Sequence, residues 1–86
     1  MIIPDSIRIK GIDFKIEFED LHNELFGDFT QLPPVIRINT RAGQSEQEIT
    51  LLHEICHLLR PDMEETCVRE FAWDFWQVLK ENDLLK

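Results

Sequence analysis

Apolar and polar residues alternate twice near the start of the chain. Ile7-Arg8-Ile9-Lys10 and Phe14-Lys15-Ile16-Glu17-Phe18 both carry the period of two that a half-buried strand requires. Gly11-Ile12-Asp13 lies between them with turn chemistry, so the two runs predict an antiparallel hairpin with Ile7, Ile9, Phe14, Ile16 and Phe18 facing the core. From residue 19 to residue 34 the period is lost. Gly27, Asp28, Pro33 and Pro34 punctuate this stretch, and Leu21, Leu25 and Phe26 offer no more than a short helical turn. Val35-Ile36-Arg37-Ile38-Asn39-Thr40 reads as a third strand, following a Pro-Pro pair that can end a loop but cannot sit inside a central ladder.

The period then changes to that of a helix. Ser45 with Glu48 three residues later has the form of a capping box, and Ile49, Leu51, Leu52, Ile55, Cys56, Leu58 and Leu59 follow before Arg60 and Pro61 end the run. Apolar residues surround this helix on most sides, which predicts a central, largely buried position. Asp62 is placed to cap a second helix, with Glu64 and Glu65 in a first turn that favours negative charge. That helix runs to about Asn82 and carries Val68, Phe71, Ala72, Phe75, Trp76 and Leu79 on its apolar side. So short a connection predicts two adjacent antiparallel helices. The fold class expected is α+β, a small antiparallel or mixed three-stranded sheet packed on two helices.

Size and charge narrow the possibilities. Eighty-six residues make one domain, residues 1–86, with a modest core to which a metal joining two helices would add much of the stability. Seventeen acidic against nine basic residues leave a net charge of -8, which opposes direct nucleic-acid binding and suits a basic protein partner. No apolar run approaches the roughly 20 residues of a membrane span, and the first residues lack a basic stretch ahead of an apolar one, so a soluble cytoplasmic protein is expected. Cys56 and Cys67 both fall within apolar helical patterns, where thiols serve as small buried hydrophobes.

His53-Glu54-Ile55-Cys56-His57 carries the chemistry. Histidines four residues apart on a helix share one face and can grip a single zinc ion, while a glutamate beside the first can move the proton of an attacking water. In a chain of this length such a motif arises by chance on the order of a few times per thousand. Zinc catalysis uses a third protein ligand. His57 lies three residues before Arg60 and Glu65 three residues after Asp62, about one turn on either side of the same corner. The centre of the second helix's apolar face falls midway between the directions of Glu64 and Glu65, so periodicity leaves both open, with Asp62 and Glu70 as further carboxylates. His22 reads as a loop histidine, and Trp73 lies at the edge of the apolar face, where it could mark a partner contact.

The run Leu51-Leu52-His53-Glu54-Ile55-Cys56-His57, the later Glu65-Thr66-Cys67-Val68-Arg69-Glu70-Phe71-Ala72 and the strand ending Ile36-Arg37-Ile38-Asn39-Thr40 resemble the small HExxH metallopeptidases of phages and mobile elements, of the ImmA/IrrE or minigluzincin type. The resemblance covers about residues 35 to 82. It implies a zincin-like minimal core, zinc ligands His53, His57 and Glu65, and Glu54 as general base and proton shuttle. It also implies hydrolysis of a peptide bond in a protein substrate such as a phage or mobile-element repressor, with a peptide adding beside the strand at residues 35 to 40. The chain departs from the family in three respects: the short seven-residue spacing between His57 and Glu65, Val68 in place of a frequent alanine, and the absence of tyrosine. Any side-chain oxyanion donor must then be another group, such as His22 or Arg41. The alternative is a catalytically silent, zinc-stapled acidic protein that binds and inhibits a partner.

Overall fold

The computed structural model describes residues 1–22 and 25–85, and their order is four strands followed by two helices. Strand β1 spans Ser6–Ile9 and β2 spans Ile12–Glu19, paired antiparallel with Ile9 opposite Ile12. Lys10 and Gly11 alone form the turn, at φ 51° and 81°, the positive pair that a tight hairpin needs and that glycine supplies without a Cβ clash. Ile12, expected in the turn, is therefore already in the strand. Strand β4, Pro34–Asn39, lies parallel to β2, and Pro34 occupies its first position, where the missing N–H costs least.

A fourth strand, β3 at Gly27–Gln31, pairs antiparallel with β4 and gives the mixed order β1-β2-β4-β3. The aperiodic stretch thus contains an element that alternation does not reveal, because Gly27-Asp28-Phe29-Thr30-Gln31 has one large apolar residue in five. Its pairing is stabilised from outside the segment: Asp28 binds the Arg37 guanidinium through Nε at 2.6 Å and through a second, shorter contact from Nη2. The short helical turn expected around Leu21 to Phe26 falls partly on residues 23 and 24, outside the described residues. Strand β4 is interior, hydrogen-bonded on both sides, so it cannot accept an added peptide as the resemblance implied. On that side of the sheet the free edge is β3.

Helix α1, Gln44–Leu59, packs against β4, β3 and β1, and its other side packs against α2, Glu65–Glu81. Ile9, Phe14, Ile16, Ile36, Ile38, Leu51 and Leu58 form the core between sheet and helix. Phe18 shares its strand face with Phe14 and Ile16 but lies toward the end of β2 and is 45% exposed, contrary to expectation. The cap of α1 also differs. Gly43 precedes the helix and its N–H is accepted by Glu46 at 3.3 Å, so neither Ser45 nor Glu48 plays the predicted role.

Glu48 is instead buried, accepting hydrogen bonds from the Trp76 indole at 2.8 Å, from Gln44 at 2.8 Å and from the Met1 ammonium at 3.1 Å. Three donors on one carboxylate tie α1, α2 and the N-terminus together, which is how a buried charge avoids an uncompensated desolvation cost.

On α2, Val68, Ala72 and Trp76 recur every fourth residue and are the positions that pack inward. Phe71 and Phe75 lie on the outer part of the predicted apolar side and remain exposed, their rings 5.9 Å apart. Cys56 is buried as expected, whereas Cys67 turns out to face solvent, one residue off the packed row of α2. Glu64 rather than Asp62 holds the N-cap position of α2. No described helix is long and apolar enough to cross a membrane.

Candidate active site

Positions 53 and 57 are separated by one turn of α1 and direct their rings to the same point. The two Nε2 atoms are 3.0 Å apart. Glu65, the first residue of α2, completes the group: its Oε1 lies 2.9 Å from His53 Nε2 and its Oε2 lies 2.7 Å from His57 Nε2. One candidate ligand atom from each of these three residues lies within 4.8 Å of the others, and the two histidines are half-buried while Glu65 is exposed. The corner at Arg60 to Glu64 brings the helices together here. It is fastened by the Arg60 N–H to the Cys56 carbonyl at 2.8 Å, the Met63 N–H to the Arg60 carbonyl at 3.0 Å and the Val68 N–H to the Glu64 carbonyl at 2.9 Å. Of the two carboxylates that periodicity left open, Glu65 points into the site, and Glu64 occupies the N-cap position of α2 without a side-chain capping bond. Neither Asp62 nor Glu70 joins the group; Asp62 pairs with Arg60.

The donor set fits a zinc ion. Two imidazole nitrogens and one carboxylate, converging with separations near 3 Å, are donors of the kind that hold a zinc ion. Burial pushes the His53 imidazole below its ordinary pKa, with Glu65 opposing and His57 reinforcing the shift, which favours the neutral form that can donate a lone pair.

Glu54 differs from these three residues. It is 5% exposed, and its Oε2 is buried without a hydrogen-bond partner. Burial raises its carboxyl to about 7, with the negative charges of Glu65 and Asp28 adding to the effect. A carboxyl poised there exchanges protons readily at neutral pH.

These groups open onto a cleft of about 570 Å³, lined in part by His53, Glu54 and Glu65 and bounded by Phe26 and Gly27 at the start of β3. Strand β3 runs along the site, with the Phe29 ring 6.4 Å from that of His57. Gly27 sets how closely the strand approaches: a Cβ there would lie 2.5 Å from both the Arg37 carbonyl oxygen and Thr50 Cγ2 of α1. No pattern in the sequence marked this strand as part of the site. His22 and Arg41 line an adjoining hollow that shares Leu25, Phe26 and Glu46 with the cleft, and Arg41 pairs with Asp20 at 2.8 Å, so neither lines the cleft itself as an oxyanion donor.

The family model of the IrrE N-terminal-like domain, Peptidase M78, matches residues 9–75 of the chain. The match extends the motif-based resemblance back through β2 and β3. No curated protein and no solved structure matches the chain.

Proposed function

The chain belongs to the IrrE N-terminal-like peptidase family, and on that premise we propose that it is a zinc-dependent metallopeptidase with His53, His57 and Glu65 as ligands and Glu54 as general base. The observation that carries this reading is the orphaned Glu54 Oε2. A buried carboxylate oxygen without a partner costs stability, and a zinc staple gains nothing from one. A hydrolase needs one, beside the ligands and facing the cleft.

Zinc in this position supplies a Lewis acid that lowers the pKa of water and polarises a carbonyl. The protein's own groups do the rest. His53 and His57 are held by α1 and Glu65 by the start of α2, so their geometry is fixed by the helix hairpin before substrate arrives. Glu54 Oε2 accepts the proton of the attacking water as the C–O bond forms, and returns it to the amine nitrogen as the C–N bond breaks. The free edge of β3 offers backbone N–H and C=O groups to an extended peptide, which can add as a further strand beside the cleft. A substrate read this way must expose an unfolded or extended segment. A phage or mobile-element regulator, met in the cytoplasm, is the substrate we infer from the resemblance of the motifs.

The rival is the zinc-stapled inhibitor, favoured by the absence of tyrosine and by the placement of His22 and Arg41 outside the cleft. Hydrolysis of an unfolded protein chain, abolished by a chelator and restored by stoichiometric zinc, supports the peptidase. Zinc binding without hydrolysis supports the rival.

A further inference from the structure

Away from the ligands, the cleft is apolar on three sides. Leu25 and Phe26 come from the segment before β3, Ile49 from α1 and Trp73 from α2. Leu25, Phe26 and Trp73 are 48%, 62% and 48% exposed, so large apolar surface lies open beside the groups proposed to break the peptide bond. Of the polar groups in these walls, the Thr50 hydroxyl donates to the Glu46 carbonyl at 2.7 Å, and the exposed Glu46 carboxylate accepts the Gly43 N–H at 3.3 Å. Arg69 is the other charge of these walls, and it too is exposed, 3.9 Å from Glu65.

The walls are also held in place. Asn39, 3% exposed, donates from Nδ2 to the carbonyls of His22 at 2.6 Å and Leu25 at 2.7 Å, and its own N–H donates to the Phe26 carbonyl at 2.8 Å. Its Oδ1 accepts from the N–H groups of Leu21 at 3.3 Å and Arg41 at 3.0 Å. Opposite, the packed row Val68, Ala72 and Trp76 fixes α2, and thereby the backbone that carries Trp73. A preformed apolar recess of this size accepts a large hydrophobic side chain without first paying to order itself.

We propose that this recess is the specificity subsite of the enzyme: it receives one large apolar side chain, aromatic or long aliphatic, next to the bond to be cleaved, and Trp73 is its recognition residue. The proposal rests on the peptidase reading for the bond that is cut, though the chemistry of the recess is independent of it. Between Leu25, Phe26, Ile49 and Trp73 a charged side chain would shed its hydration against apolar groups that return no hydrogen bond.

Two measurements test it. Blocked alanine pentapeptides carrying phenylalanine, leucine, alanine or aspartate at the centre are titrated into the zinc-loaded Glu54→Gln protein, following the indole N–H signal of Trp73. The same peptides are offered to the zinc-loaded wild type for cleavage. Phenylalanine and leucine peptides are expected to bind about tenfold or more tightly than the other two, to shift the Trp73 signal, and to lose that preference in both Trp73→Ala and Leu25→Ala. Equal binding of all four peptides overturns the subsite, as does a preference that survives both substitutions. Apolar preference at Trp73 without cleavage sinks the peptidase and leaves the subsite standing. Cleavage without apolar preference does the reverse, and neither binding nor cleavage overturns both.

Discussion

His57 and Glu65 belong to different helices, yet Nε2 of the one lies 2.7 Å from Oε2 of the other. A corner of a few residues closes that distance and turns a two-histidine motif into a three-donor group. Glu65→Ala is therefore expected to weaken zinc binding by more than the roughly 10–100-fold that follows loss of an outer-shell partner, while Glu64→Ala leaves it unchanged. Competition with a chromophoric chelator measures both. Equal effects of the two substitutions would contradict the assignment.

The helix hairpin was legible because its signals are local. The spacing of His53 and His57, the Pro61-Asp62 break and the recurrence of Val68, Ala72 and Trp76 all lie within a few turns of one another. Strand β3 was not legible, because Phe29 is its one large apolar residue and its stability comes from β4 through Asp28 and Arg37. The capping box was misplaced because Glu48 satisfies the local pattern while its partner Trp76 lies 28 residues away. Phe71 and Phe75 fit a helical period but extend past the width of surface that α1 covers. Periodicity reports apolarity on a face and says nothing of how wide the partner is.

Gly27 is expected to resist substitution. A methyl group there meets the Arg37 carbonyl oxygen and Thr50 Cγ2 at 2.5 Å, and backbone on one side leaves little room to yield. Gly27→Ala should lower stability by about 1–3 kcal/mol, seen as a thermal midpoint several degrees below wild type. It should also widen the gap between β3 and α1 at the cleft. An unchanged midpoint would mean that the strand does not approach the helix so closely.

Glu48 predicts a pH dependence of stability. Burial alone would raise its carboxyl pKa, but the hydrogen bonds from Gln44, Trp76 and the N-terminal ammonium outweigh burial and hold it below the usual carboxylate range. A carboxyl with a depressed folded pKa contributes stability above its unfolded value, about 4.3, and loses that contribution as pH falls through the folded value. Glu48→Gln is then expected to cost about 1–3 kcal/mol at pH 7, with the gap to wild type closing in acid. Urea midpoints between pH 3 and pH 7 read this directly, and a gap that stays constant across the range would contradict it.

The proton-handling role of Glu54 is the central claim, and the most direct test compares wild type with Glu54→Gln, each loaded with one equivalent of zinc, in the hydrolysis of an unfolded protein chain. The substitution keeps the size of the side chain and removes its ability to take a proton. Wild type should cleave, and Glu54→Gln should retain its zinc while kcat/KM falls by about 10²–10⁴-fold. Equal rates in the two proteins, or no hydrolysis by zinc-loaded wild type, would contradict the account.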